Sequence, residues 1–135
     1  MKETNIIIDR PRGFAGLIAN IMEPLNDNPD FKKTFRKSKR KILINASNLD
    51  FAALLTIDHG TLKVQSVPNK PKSNLKKKTT GWDGFVSMDT MTFLAFAMKR
   101  ISILKISSMM LTGKVKMRGL LKLIPMLKLF KILSS

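Results

Sequence analysis

At 135 residues, 44% of them apolar and 25% charged, with 7 glycines and 6 prolines, the composition fits one globular domain, residues 1–135, and not a disordered or collagen-like chain. The absence of cysteine excludes a disulfide framework, a thiolate metal site and a cysteine nucleophile, and one histidine with no tyrosine leaves little for acid–base chemistry, so no enzyme, cofactor or metal is expected. With 25 Lys+Arg against 9 Asp+Glu the net charge is +16, which points to anionic partners: lipid headgroups, nucleic acid or an acidic protein.

The first element is an amphipathic helix over 10–25, with Phe14, Leu17, Ile18, Ile21, Met22 and Leu25 on one stripe, Asp9 as its cap and Pro11 in its first turn. A second helix starts at once, with Asn28 as cap, Pro29 at the first helical position and Phe31 and Phe35 stacked four residues apart. It runs into the basic block Arg36–Lys41. The period then changes to two: Ile42, Ile44 and Ala46 alternate, as do Phe51, Ala53, Leu55 and Ile57, and Leu62, Val64 and Ser66 after the turn signal Asp58-His59-Gly60-Thr61. This predicts a three-strand meander in which His59 is a turn residue. Residues 68–80, rich in Pro, Asn, Ser and Lys, are expected to form a polar, mobile loop.

A fourth strand is predicted over Gly81–Met88, with Trp82, Val86 and Met88 on one face and Trp82 packed on the sheet. Asp89 caps a helix over Thr90–Arg100 whose apolar face holds Met91, Phe93, Leu94, Ala97 and Met98, and a further helix is expected within Ile101–Leu111. Lys114-Val115-Lys116-Met117-Arg118, between Gly113 and Gly119, is a short strand of strict period two, with three cations on one face. A last helix, Leu120–Leu133, is apolar on most of its circumference and contains Pro125. The order, α α β β β β α α β α, predicts an α+β domain on an antiparallel sheet.

The charge is uneven. Residues 1–31 carry three cations and five acids, residues 32–89 thirteen cations and four acids, and residues 90–135 nine cations and no acid. The most apolar third is thus purely cationic. Its apolar stretches are interrupted by Lys99, Arg100, Lys105, Lys122 and Lys128, too often for a spanning helix, and the start lacks the apolar core of a secretory signal. A cytoplasmic location, with peripheral membrane contact, is the expectation.

In this order the elements resemble the sterol carrier protein family, the type-two, non-specific lipid-transfer fold. The strand-then-helix piece Val86–Phe96 looks like that family's, Gly113–Gly119 is similar to its edge-strand motif ahead of the final helix, and the hairpin Leu54–Val64 fits its earlier strands. The resemblance implies a five-stranded antiparallel sheet covered by helices, an apolar tunnel closed by the C-terminal helix, and binding or transfer of a lipid without catalysis. The sequence departs from the family pattern in the basic residues within Met98–Leu111 and in the long, Pro-containing final helix, which leaves the identity of the lipid open between sterol, acyl chain, isoprenoid and phospholipid.

Phe93, Phe96, Met109, Met117, Leu121, Ile124 and Leu127 are the candidate tunnel residues, and Lys99, Arg100, Lys122 and Lys128 the candidate headgroup or membrane contacts. Each has a plainer alternative. The final helix also fits a core helix or a dimer contact, the methionines also fit core filling, and the basic blocks at Lys32–Lys41 and Lys70–Lys78 fit solvated loops as well as membrane-facing patches. A basic nucleic-acid-binding module and an oligomeric scaffold are the rival functions to a monomeric carrier. Against the first, the basic runs have little aromatic interleaving and no zinc spacing or ribonucleoprotein motif.

Overall fold

The computed structural model describes residues 7–97, 111–113, 115–119, 128, 129 and 132, with Phe96 and Ala97 described by their backbone alone. Helix α1 (Phe14–Met22) buries Phe14, Ile18 and Met22 at four-residue spacing, with Ala15 and Ala19 beside them. It is shorter than 10–25 at both ends. Gly13, at φ 55°, occupies its N-cap position without a side-chain bond. The expected cap, Asp9, instead accepts a hydrogen bond from Gln65 Nε2 at 2.6 Å. At the other end Pro24 has no N–H, and the chain tightens into a 3-10 turn, Glu23–Asp27, that still buries Leu25. Asn26 clamps this turn to the sheet, donating to Leu62 O at 2.9 Å and accepting from Leu62 N at 2.7 Å.

Asn28 caps α2 (Pro29–Thr34) as the sequence indicates, its Oδ1 accepting from Asp30 N at 2.8 Å and Phe31 N at 3.1 Å. Phe31 and Phe35 stack with centroids 5.2 Å apart. Strands β1 (Lys39–Ala46), β2 (Phe51–Asp58) and β3 (Thr61–Pro68) form the meander. His59 and Gly60, at φ 48° and 83°, supply the two left-handed positions of its tight turn. A side chain at Gly60 would also press on Lys32 O, 3.3 Å from where its Cβ would lie.

β4 (Gly84–Met88) and β5 (Lys116–Arg118) complete a five-stranded sheet of order β3-β2-β1-β4-β5. The expectation of an antiparallel sheet needs correction. β4 runs parallel to β1, pairing Ile44 with Val86, and the sheet is mixed. The cause is the segment 69–83, which carries the chain from the β3 edge to the far side of β1 and starts β4 in the direction of β1. Side-chain periodicity identifies a strand but carries no information on its direction.

That segment is folded, in contrast to the mobile loop expected for 68–80. It holds a 3-10 turn, Lys72–Leu75, and a one-turn helix α3 (Lys77–Thr80) ended by Gly81 at φ 75°. Asn74 Nδ2 donates to Pro68 O at 3.0 Å and Lys70 O at 3.2 Å, and Trp82 Nε1 donates to Leu75 O at 2.9 Å. Trp82 lies on the face opposite Val86 and Met88, another departure from the expected alternation. The strand begins only at Gly84, because Asp83 turns the chain by a two-way bond with Lys41: Asp83 N donates to Lys41 O at 2.7 Å and Lys41 N to Asp83 Oδ2 at 2.9 Å.

The sheet separates two apolar clusters. One face, with Ile42, Ile44, Leu55, Ile57, Val64 and Val86, is covered by α1, α2 and α4 (Thr90–Ala97). Asp89 caps α4, accepting from Thr92 N at 2.7 Å. Phe93 is fully buried, whereas Met91, expected on the same apolar face, is 73% exposed. The second face carries a smaller cluster of Leu43, Ala52, Leu54, Val67, Trp82 and Phe85.

Candidate functional site

On the helix-covered face, Phe93 reaches from α4 to Phe14 of α1 in an edge-to-face contact, centroids 5.5 Å apart at 84°. Met117 of β5 stands opposite Val86 and packs half-buried against the same cluster. Val115 is buried there, and so is Leu129, with Ile132 partly buried beside it. Leu129 and Ile132, which the sequence assigns to the final helix, therefore meet this face of the sheet. Of the seven candidate tunnel residues, Phe93 and Met117 are brought to the same apolar cluster. Met109, Leu121, Ile124, Leu127 and the Phe96 side chain lie outside the described residues. Lys128 is helical and exposed; Lys99, Arg100 and Lys122 also lie outside the described residues.

The second face carries a feature that the sequence reading did not single out. β5 pairs with β4 so that Phe85 faces Arg118 and Ser87 faces Lys116. Strand alternation sends Lys116 and Arg118 to this face and Met117 to the other. From the opposite side, the segment after β3 brings Lys70, Lys72, Lys76 and Lys77 over the sheet. Between these two walls lies a cleft of about 770 Å³, floored by Asn45, Asn69, Ser87, Trp82 and Phe85. None of its described lining residues is acidic; Asp50, outside the lining, lies 3.5 Å from Lys70 in an exposed pair.

The floor is ordered by its own hydrogen bonds. Asn69 Nδ2 donates to Asn45 Oδ1 at 2.9 Å and Leu49 O at 2.8 Å, and Asn45 Nδ2 donates to Ser87 Oγ at 3.0 Å. All three side chains are buried. Trp82 and Phe85 pack with centroids 5.6 Å apart, and Lys77 Nζ stands 5.9 Å from the centre of the Trp82 ring, within cation–π range. The strict period of Lys116 and Arg118 and the basic block Lys70–Lys78 are the sequence signals for this cleft, but neither shows that the two meet. Its other wall depends on the fold of 69–83.

Among the described residues, no group of three or more His, Asp or Glu side chains could hold a metal ion, and no helix is long and apolar enough to cross a membrane.

No protein-family model matches the chain, and no curated protein matches it. Solved structures do. A crystal structure of sterol carrier protein 2 superposes with a TM-score of 0.58 at 15% identity, over 90% of this chain and 94% of that one. A UbiJ-SCP2 ubiquinone synthesis protein gives 0.58 at 12% identity, over 90% and 95%. A stereoselective inverting sec-alkylsulfatase from Pseudomonas sp. gives 0.56 at 17% identity over 77% of this chain, which spans only 14% of that enzyme. The chain has the α+β fold of the sterol carrier protein 2 domains, with its mixed five-stranded sheet, and the resemblance read from the sequence is borne out at the level of the fold.

Proposed function

We propose that the chain is a non-catalytic lipid-binding domain that takes an apolar guest between the helix-covered face of its sheet and its C-terminal segment. The observation that carries this reading is the fold shared with sterol carrier protein 2 over nine-tenths of the chain. The return of Leu129 to the main core supports it, because a cover over a guest has to seat on that face. Phe93, Phe96, Met109, Met117, Leu121, Ile124 and Leu127 would line the guest's space. Its affinity would come from apolar area removed from water, at about 25 cal/mol per Å². Methionines suit such walls because their unbranched chains adapt to guests of different shape.

Lys99, Arg100, Lys122 and Lys128 would meet anionic headgroups as the guest is exchanged with a membrane, each worth about 1 kcal/mol near the surface. The domain would act as a monomer in the cytoplasm. Acid–base catalysis has little material: the single histidine stands in the β2–β3 turn, its Nδ1 2.5 Å from the Asp58 carboxylate.

Denaturing mass spectrometry of lipid extracted from the purified protein, paired with uptake of a fluorescent fatty acyl probe, tests the reading. A stoichiometric co-purified lipid and saturable uptake are expected. Absence of both overturns it. Truncation after Gly119 is expected to abolish uptake while the sheet remains folded by circular dichroism, and uptake that survives truncation removes the covering role of the C-terminal segment.

A further inference from the structure

From the cleft on the second sheet face we infer a binding site for a compact, phosphate-bearing polyanion, separate from any apolar guest. The inference does not rest on the lipid reading, since it uses the face opposite the one to which Phe93 and Met117 contribute.

Three properties of the cleft point to such a ligand. The first is convergence of charge. Lys70, Lys72, Lys76 and Lys77 come from one wall and Lys116 and Arg118 from the other. Among the described residues only Lys70 of these has a carboxylate in reach, at 3.5 Å and exposed. A cleft lined by one sign of charge concentrates its potential on the space between the walls. A monoanion leaves most of these cations facing one another, whereas a group with several negative oxygens answers both walls at once. Arg118 adds a planar fork that matches phosphate oxygens in pairs.

The second property is the polarity of the floor. Ser87 Oγ accepts from Asn45 Nδ2 and has no acceptor for its own proton among the described residues. Asn45 Nδ2 has a second N–H beyond that bond. The floor therefore offers buried donors beneath the cations, which suits an anion and disfavours a second cation. The network through Asn69 holds these donors in place, so little ordering is needed when a ligand enters.

The third is shape. About 770 Å³ is far more than one phosphate fills and falls in the usual range for small-molecule sites. The Trp82–Phe85 pair beside the polar floor provides an apolar surface for the rest of the ligand, with Lys77 above the indole. The cations close on a recess instead of tracking along the surface, which favours a compact ligand over a nucleic-acid strand. The same phosphate chemistry is available from a soluble phosphorylated compound or from a phospholipid headgroup.

Trp82 makes the test direct, since it is the sole tryptophan and tyrosine is absent. The full chain is titrated with sodium tripolyphosphate, and separately with phosphatidylcholine vesicles with and without phosphatidic acid, at low and at physiological ionic strength, reading Trp82 emission. A saturable change is expected with at least one of the two phosphate sources. Lys116→Ala/Arg118→Ala and Lys72→Ala/Lys76→Ala, which strip opposite walls, should each weaken it about tenfold or more. Lys32→Ala/Lys33→Ala removes the same charge from α2, on the other side of the sheet, and should weaken it less than about twofold.

A response to tripolyphosphate with that variant pattern supports the site and assigns it to a soluble phosphate compound. The same pattern with phosphatidic acid vesicles alone supports it with a headgroup as the source. Equal weakening by all three variants reduces the effect to net charge and overturns the site, as does the lack of a saturable change at Trp82 with either source. Uptake of the acyl probe should be unaltered in Lys116→Ala/Arg118→Ala, so loss of phosphate binding and loss of lipid binding are read separately.

Discussion

Asn69 and Asn45, 24 residues apart in sequence, are joined by a side-chain hydrogen bond of 2.9 Å that ties the segment after β3 to the centre of the sheet. The Asn69 amide also donates to Leu49 O at 2.8 Å and approaches Ala46 O at 3.4 Å, so one nitrogen serves three oxygens. Replacing Asn69 by Ala leaves these acceptors short of donors in a buried place, a cost of about 1–3 kcal/mol. The expected outcome is a thermal midpoint several degrees lower. Asn69→Asp, which keeps the shape but presents carboxylate oxygen to the same three oxygens, should lose at least as much. A midpoint unchanged in Asn69→Asp would show that the amide does not anchor this segment.

Much of the fold was legible because it is written locally. Period-two alternation at Ile42, Ile44 and Ala46 marks β1, the Asp58–Thr61 turn marks the β2–β3 hairpin, and Asn28 and Asp89 cap the helices they precede. What escaped depends on contacts far apart in the chain. The order of residues 69–83 rests on bonds such as Asn69 Nδ2 to Asn45 Oδ1, 24 residues back, in a composition that otherwise resembles a solvated loop. The face taken by Trp82 follows from the exchange between Asp83 and Lys41, which interrupts the alternation that begins again at Gly84. The cleft escaped for the same reason, since its walls come from residues 70–77 and 116–118 and meet only when β4 is parallel to β1 and β5 lies at the sheet edge. On the helix-covered face, Phe93 and Met117 were identified from local pattern and do share one cluster.

Asn28 satisfies two backbone donors at the start of α2, where Pro29 already removes a third. Asn28→Ala is expected to cost about 1 kcal/mol, and Asn28→Ser or Asn28→Asp much less, because each keeps an oxygen for the same N–H groups. Chemical denaturation reads this as a lower midpoint with unchanged slope. An equal loss in Ala and Ser variants would assign the effect to something other than capping.

Phe93 is fully buried and meets the Phe14 ring edge to face. Phe93→Ala should cost about 3–5 kcal/mol through lost burial and the space left behind. Phe93→Leu should cost clearly less, and the double variant with Phe14→Leu less than the sum of the two singles, since the ring pair contributes about 0.5–1.5 kcal/mol beyond area. Strict additivity in this cycle would show that the two rings do not act as a pair.

Gly119 ends β5 at φ 68°, and a Cβ built there would stand 2.5 Å from Asp83 O, inside any permitted contact. Asp83 is held by its two-way bond with Lys41, so it cannot retreat without opening the start of β4. Gly119→Ala therefore carries the left-handed backbone cost of about 1–2 kcal/mol together with displacement of β5 from β4. Because β5 bears Lys116 and Arg118, the same substitution should also weaken tripolyphosphate binding at the cleft. Gly113, with no atom of the described residues within 4 Å of its Cβ position, provides the comparison at φ 80°. Gly113→Ala carries a similar backbone cost without the clash, and should leave the β4–β5 amides as protected from hydrogen exchange as in the parent. Loss of that protection in Gly119→Ala alone would be the signature of the close approach to Asp83, and equal protection in both variants would rule it out.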